Sequence, residues 1–110
     1  MSKVLPKLEW LVIIFDHAAG QRLKFMPEHL AALRSNIDAG VVTSGGPLFD
    51  DVAKTKPFGS VLTVRASSKS EIVDLLKRDI YAQKNVWNFE SLIVHPVGIR
   101  YRSGIEWPKS

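Results

Sequence analysis

Three stretches of this chain fail to alternate apolar with polar residues: Leu11-Val12-Ile13-Ile14-Phe15, Val61-Leu62-Thr63-Val64 and Leu92-Ile93-Val94. They are short, β-branched and bounded by charged or turn-forming residues, so each reads as a strand. A sheet with one wet face alternates along its strands, and these do not. A sheet built from them must therefore be dry on both faces. That is a demanding requirement for 110 residues, which supply one core and little spare stability.

The rest of the sequence offers two helices to meet it. Pro27 suits a first helical turn, where its missing N–H costs nothing. Leu30, Leu33 and Ile37 then recur at helical spacing up to Gly40, which predicts a helix over 27–39. Ser68-Lys69-Ser70-Glu71 is a capping box, and Ile72, Val73, Leu76 and Ile80 give the following helix its buried face. Strands are predicted at 9–16, 41–48, 60–65 and 88–97, with loops over 17–25 and 49–59. The order is β-α-β-β-α-β, an α+β ferredoxin-like arrangement around a four-stranded antiparallel sheet. Two helices cover one face only. A second copy of the sheet is the simplest cover for the other, giving a dimeric α/β barrel. The competing cover is the tail, with Ile105 and Trp107 folded back.

Composition excludes several classes of function. There is no cysteine, which removes disulfides, zinc–thiolate sites and thiol catalysis. His17, His29 and His95 are too dispersed for metal-ligand spacing, and Asp50-Asp51 reads as a turn, so no metal is expected. The net charge of +4 comes from scattered Lys and Arg with no nucleic-acid-binding signature, which points to no nucleic-acid partner. The run at 10–15 is too short to span a bilayer and residues 1–7 do not read as a secretory signal. A cytoplasmic protein with no membrane partner is the expectation.

Four short segments, taken in order, resemble the YCII family. They are Met26-Pro27-Glu28-His29-Leu30, Gly40-Val41-Val42-Thr43-Ser44-Gly45-Gly46-Pro47-Leu48, Asp79-Ile80-Tyr81 with Asn85-Val86-Trp87, and the strand ending at His95-Pro96. The resemblance covers roughly residues 8–97 of a single domain spanning 1–110, leaving 98–110 as a tail. Departures are Ile80 for a proline, Lys84-Asn85 for a small residue and glycine, and His95 for a lysine. The resemblance implies a homodimeric, cofactor-independent enzyme with a His–Asp pair, His29 and Asp79. It further implies a lyase or isomerase acting on a small cyclic or aromatic compound, in catabolism or secondary metabolism.

Read from the residues themselves, His29 at a helix start lies on the side of Leu33, toward the sheet. The positive helix end disfavours imidazolium there, leaving a neutral ring suited to a general base. Its alternative is a histidine that only hydrogen-bonds locally. Asp79 reads as a helix C-terminal carboxylate, unfavourable against the dipole, with a cap or a bridge to Lys77 or Arg78 as its alternative. Ser44, Gly46 and Pro47 make a tight strand end fit to frame a pocket, with Tyr81 and Trp87 as further substrate-binding candidates. Ser44 lacks an adjacent base and a nucleophile elbow. Arg22 and Lys24, just before the helix, are placed to hold a carboxylate or phenolate. Two other functions remain open: a non-catalytic small-molecule-binding domain, and a cofactor-free oxygenase. A His29–Asp79 hydrogen bond in a sealed cavity favours proton transfer. An apolar, dry pocket with His29 but no carboxylate contact favours the oxygenase, and a solvent-open groove with His29 tied to backbone favours the binding domain.

Overall fold

The computed structural model describes residues 8–104. The chain runs β1 (Glu9–Asp16), α1 (Arg22–Asp38), β2 (Val42–Phe49), β3 (Pro57–Arg65), α2 (Lys69–Lys77), α3 (Ile80–Gln83) and β4 (Trp87–Val97). The sheet order is β2-β3-β1-β4, every neighbouring pair antiparallel. This is the ferredoxin-like topology expected from the sequence, with β1 beside β3.

The predicted apolar runs occupy the two central strands and β4. On one face Val12 and Ile14 of β1 are completely buried against Leu62 and Val64 of β3 and Val94 of β4. Leu33 of α1 and Ile72 and Leu76 of α2 close this core. Each such side chain contributes about 1.5–3 kcal/mol on burial. The opposite face carries Leu11 and Ile13, in register with Thr63 and Val61 on one side and His95 and Ile93 on the other. Ile93 there is 38% exposed. Ile105 and Trp107, the alternative cover for this face, lie outside the described residues, as does the stretch at 1–7. Among the described residues no helix is long and apolar enough to cross a membrane.

Several boundaries differ from the sequence expectation. The first helix begins at Arg22, so Arg22 and Lys24 stand inside it rather than before it, and Pro27 is interior. Proline there removes the bond to the Leu23 carbonyl, a cost that propensity alone does not allow. Arg22 offsets it: its side chain is clamped to β1 and β3, fixing the first turn by tertiary contact. Gly40 does end the helix, at φ 78°. β3 starts earlier than expected, at Pro57. α2 stops at Lys77, so Ile80, expected on the second helix, instead opens the separate short α3, which places Asp79 at a helix N-cap instead of a C-terminus. Asn85 follows α3 at φ 55°, in the left-handed region. Asparagine tolerates that region better than other non-glycine residues.

A bulge in the β1–β4 ladder falls between Ile13 and Phe15. The Phe15 N–H that loses its ladder partner donates to Ser91 Oγ at 2.8 Å. The extra residues lie on β4, where 88–93 span only Ile13 to Phe15 of β1, so the bulge bends the start of β4 beside Asp16.

Candidate active site

The site is built where β1 ends, α1 begins and α3 crosses beneath α1. Asp16 closes β1 and receives Arg22 bidentately, Nε to Oδ2 at 2.7 Å and Nη2 to Oδ1 at 2.8 Å. Arg22 Nη2 also donates to Ser60 Oγ at 2.8 Å, and Trp87 Nε1 donates to the same hydroxyl at 3.1 Å. Both charges are nearly removed from water, and the fork geometry supplies the hydrogen bonds that such a buried pair requires.

Tyr81 joins this clamp to the histidine. The Arg22 guanidinium carbon lies 4.8 Å from the Tyr81 ring centroid, and the Tyr81 hydroxyl donates to the Arg22 carbonyl at 3.2 Å. The His29 ring stacks on Tyr81 at 3.9 Å between centroids and 11° between planes. Trp87 presents its edge to both rings. Burial pushes the Tyr81 phenol above its ordinary pKa of 10.0, with the nearby Arg22 charge acting the other way.

His29 Nδ1 lies 2.9 Å from each oxygen of Asp79. Opposite an ionised carboxylate, which only accepts, Nδ1 is the donor, and a neutral ring so held has its lone pair on Nε2. Asp79 Oδ1 also accepts the Tyr81 backbone N–H at 2.9 Å, capping α3. One carboxylate thus fixes both the helix and the ring that stacks against it. The position of His29 overturns the dipole argument for its neutral state: the ring is interior to α1, well beyond its first turn. Carboxylate contact replaces the helix end as the feature that sets its tautomer.

The other expected site residues are distributed differently. Tyr81 and Trp87 are 1% and 2% exposed, so they support the histidine from within the core instead of presenting a surface to substrate. Ser44 hydrogen-bonds Thr63 across the edge of the sheet. Gly46 registers with Val61, on the face away from the helices, while Pro47 registers with Ser60 on the helix side. Arg22 and Lys24 line a cleft of about 840 Å³ between the β1–α1 loop and the start of β3, together with Phe15, Asp16, Lys56 and Phe58. Neither His29 nor Asp79 is among its lining residues. Asp16, Ser60 and Lys56 were missed from sequence. Asp16 had a usable signal, an acid ending an apolar strand six residues before Arg22; Ser60 and Lys56 had none.

No protein-family model matches the chain. It is 33% identical over 95 residues to aspercryptin biosynthesis cluster protein B of Emericella nidulans, a match covering 80% of this chain and 61% of that protein. The chain therefore spans under two thirds of that relative's length. In structure it resembles a 5-chloro-2-hydroxyhydroquinone dehydrochlorinase from Burkholderia phenoliruptrix, solved with 2,5-dihydroxybenzoquinone. That superposition has a TM-score of 0.67, with 22% identity over 87% of this chain and 95% of the other. At that identity the likeness shows a shared fold.

Proposed function

We propose that this chain is a YCII-type, cofactor-independent lyase or isomerase that moves a proton on a small hydroxylated ring compound, working as a cytoplasmic homodimer. The observation that carries the reading is the His29–Asp79 contact. Asp79 holds Nδ1–H, which leaves Nε2 as a base of fixed direction. As Nε2 takes a proton from a ring position, the C–H electron pair forms the new double bond. In an elimination the leaving group departs with its own pair; in an isomerisation the proton returns elsewhere on the ring. Asp79 stabilises the positive charge that forms on the histidine, and the Tyr81 stack keeps the ring from turning. The dehydrochlorinase neighbour performs a reaction of the elimination class, and the aspercryptin-cluster relative supports a place in secondary metabolism.

The second reading is a non-catalytic binding domain. It is favoured by one observation, that His29 is absent from the lining of the 840 Å³ cleft. The oxygenase reading called for a histidine without carboxylate contact, and the Asp79 hydrogen bonds count against it.

The test begins with thermal-shift screening of hydroxylated and halogenated ring compounds, followed by turnover assays on those that stabilise the protein. His29→Ala should lower turnover by about 10²–10⁴-fold with dimer and fold retained. Asp79→Asn should lower it less. Full turnover by His29→Ala would remove His29 as the base, and ligand binding by the wild type without any turnover would leave the binding-domain reading in its place.

A further inference from the structure

The cleft beside the site carries a combination of groups that the proton-transfer mechanism does not use. Phe15 and Phe58 stack along its wall at 5.4 Å between centroids and 19° between planes. Phe58 is 39% exposed, so part of its surface is open to a further apolar group. Lys24 and Lys56 stand at the same cleft. Lys24 Nζ lies 5.4 Å from the Phe25 ring, and Lys56 has no ion-pair partner among the described residues. The acid in the lining, Asp16, is matched by Arg22 through two hydrogen bonds. The paired charges cancel, and the two lysines leave the cleft net positive.

We infer that this cleft is a binding site for a small aromatic anion, a ring bearing a carboxylate or phenolate, held by stacking on Phe58 and by the Lys24 and Lys56 ammonium groups. An aromatic ring extends the Phe15–Phe58 stack in the offset or edge geometry such pairs prefer. Its charge is drawn to the two lysine ammonium groups of the cleft, an attraction that salt screens. The site extends the anion-holding role proposed for Lys24 and does not depend on His29 acting as a base. The two ideas fail separately, because one is read by binding and the other by turnover.

Isothermal titration of the intact protein with three probes tests it: salicylate, an anionic ring; benzyl alcohol, a neutral ring; and acetate, an anion without a ring. Salicylate should bind most tightly, and added sodium chloride should weaken it while leaving benzyl alcohol unchanged. The double variant Lys24→Ala/Lys56→Ala should weaken salicylate by about three- to thirtyfold. Phe58→Ala should weaken it by about two- to tenfold with its salt dependence retained. The idea is overturned if salicylate fails to bind, if acetate binds equally well, or if the lysine variant binds salicylate as the wild type does. Salt-independent binding of salicylate to the wild type overturns it without any variant.

Discussion

Asp79 serves two structures at once, accepting from the His29 ring and from the Tyr81 backbone. Its substitutions are therefore informative in different ways. Asparagine keeps an N-cap acceptor, so Asp79→Asn should cost little stability while removing the charge beside His29. Asp79→Ala loses the cap as well and should cost about 0.5–2 kcal/mol, read from denaturant midpoints. Tyr81 makes a second residue-level prediction. Tyr81→Phe deletes the bond to the Arg22 carbonyl and should cost about 0.5–1.5 kcal/mol near neutrality. Burial raises the phenol's pKa in the folded chain, so the native state holds that proton more tightly than the unfolded one. The resulting stability is fully present below 10.0, the ordinary value, and is lost as pH rises through the folded value. Wild type should thus lose thermal stability in alkali more steeply than Tyr81→Phe; identical alkaline slopes would remove Tyr81 as the cause. At this scale His29 and Asp79 were visible in sequence only through a family resemblance. Of the residues around them, Asp16 lies only six positions before Arg22 and could have been read, whereas Ser60 reaches Arg22 from β3, 38 positions away, and had no local signal.

Among the elements, the strands were the more legible. β1 was readable to its ends because the acids Glu9 and Asp16 bound an unbroken apolar run. α1 was not, since Pro27 imitates a helix start and nothing near Gln21 signals one; the Arg22 clamp that sets the true start belongs to the fold. α3 is one turn long and has no periodicity to detect, only the Asp79 cap. The glycines of the sheet give a sharp contrast between strand positions. A Cβ on Gly59 would lie 2.7 Å from the Ile14 carbonyl oxygen, a backbone atom that cannot yield without parting β1 from β3. A Cβ on Gly46 would meet nothing within 4 Å. Gly59→Ala should therefore destabilise by about 1–3 kcal/mol or more, and Gly46→Ala should stay near wild type in chemical denaturation. Equal losses would mean that the β1–β3 spacing is not the constraint. Ser68 accepts the Glu71 N–H while Glu71 returns to the Ser67 N–H, so the start of α2 is fixed much as the sequence pattern anticipated.

For the molecule as a whole, the decisive feature is that α1 and α2 pack on one face of the sheet while Leu11, Ile13, Val61 and Ile93 lie on the other. The proposed homodimer places a second sheet against Leu11, Ile13, Val61 and Ile93. Ile13→Asp should convert a dimer to a monomer or unfold it in light scattering; a wild type that is monomeric at micromolar concentration would refute the pairing. The proposed catalysis rests instead on the helix side of the sheet, where His29 stands against Asp79 and Tyr81. The state of that ring in the native protein can be observed without knowing the substrate. Long-range ¹H–¹⁵N correlation spectra of histidine-labelled protein, in mildly alkaline buffer, report which ring nitrogen carries the hydrogen. The account predicts His29 in the Nδ1–H form, with Nε2 bare, and a loss of that preference in Asp79→Asn. A His29 ring carrying its hydrogen on Nε2 would turn its lone pair to Nδ1, against Asp79 and away from a substrate at Nε2, and would contradict the proposed mechanism.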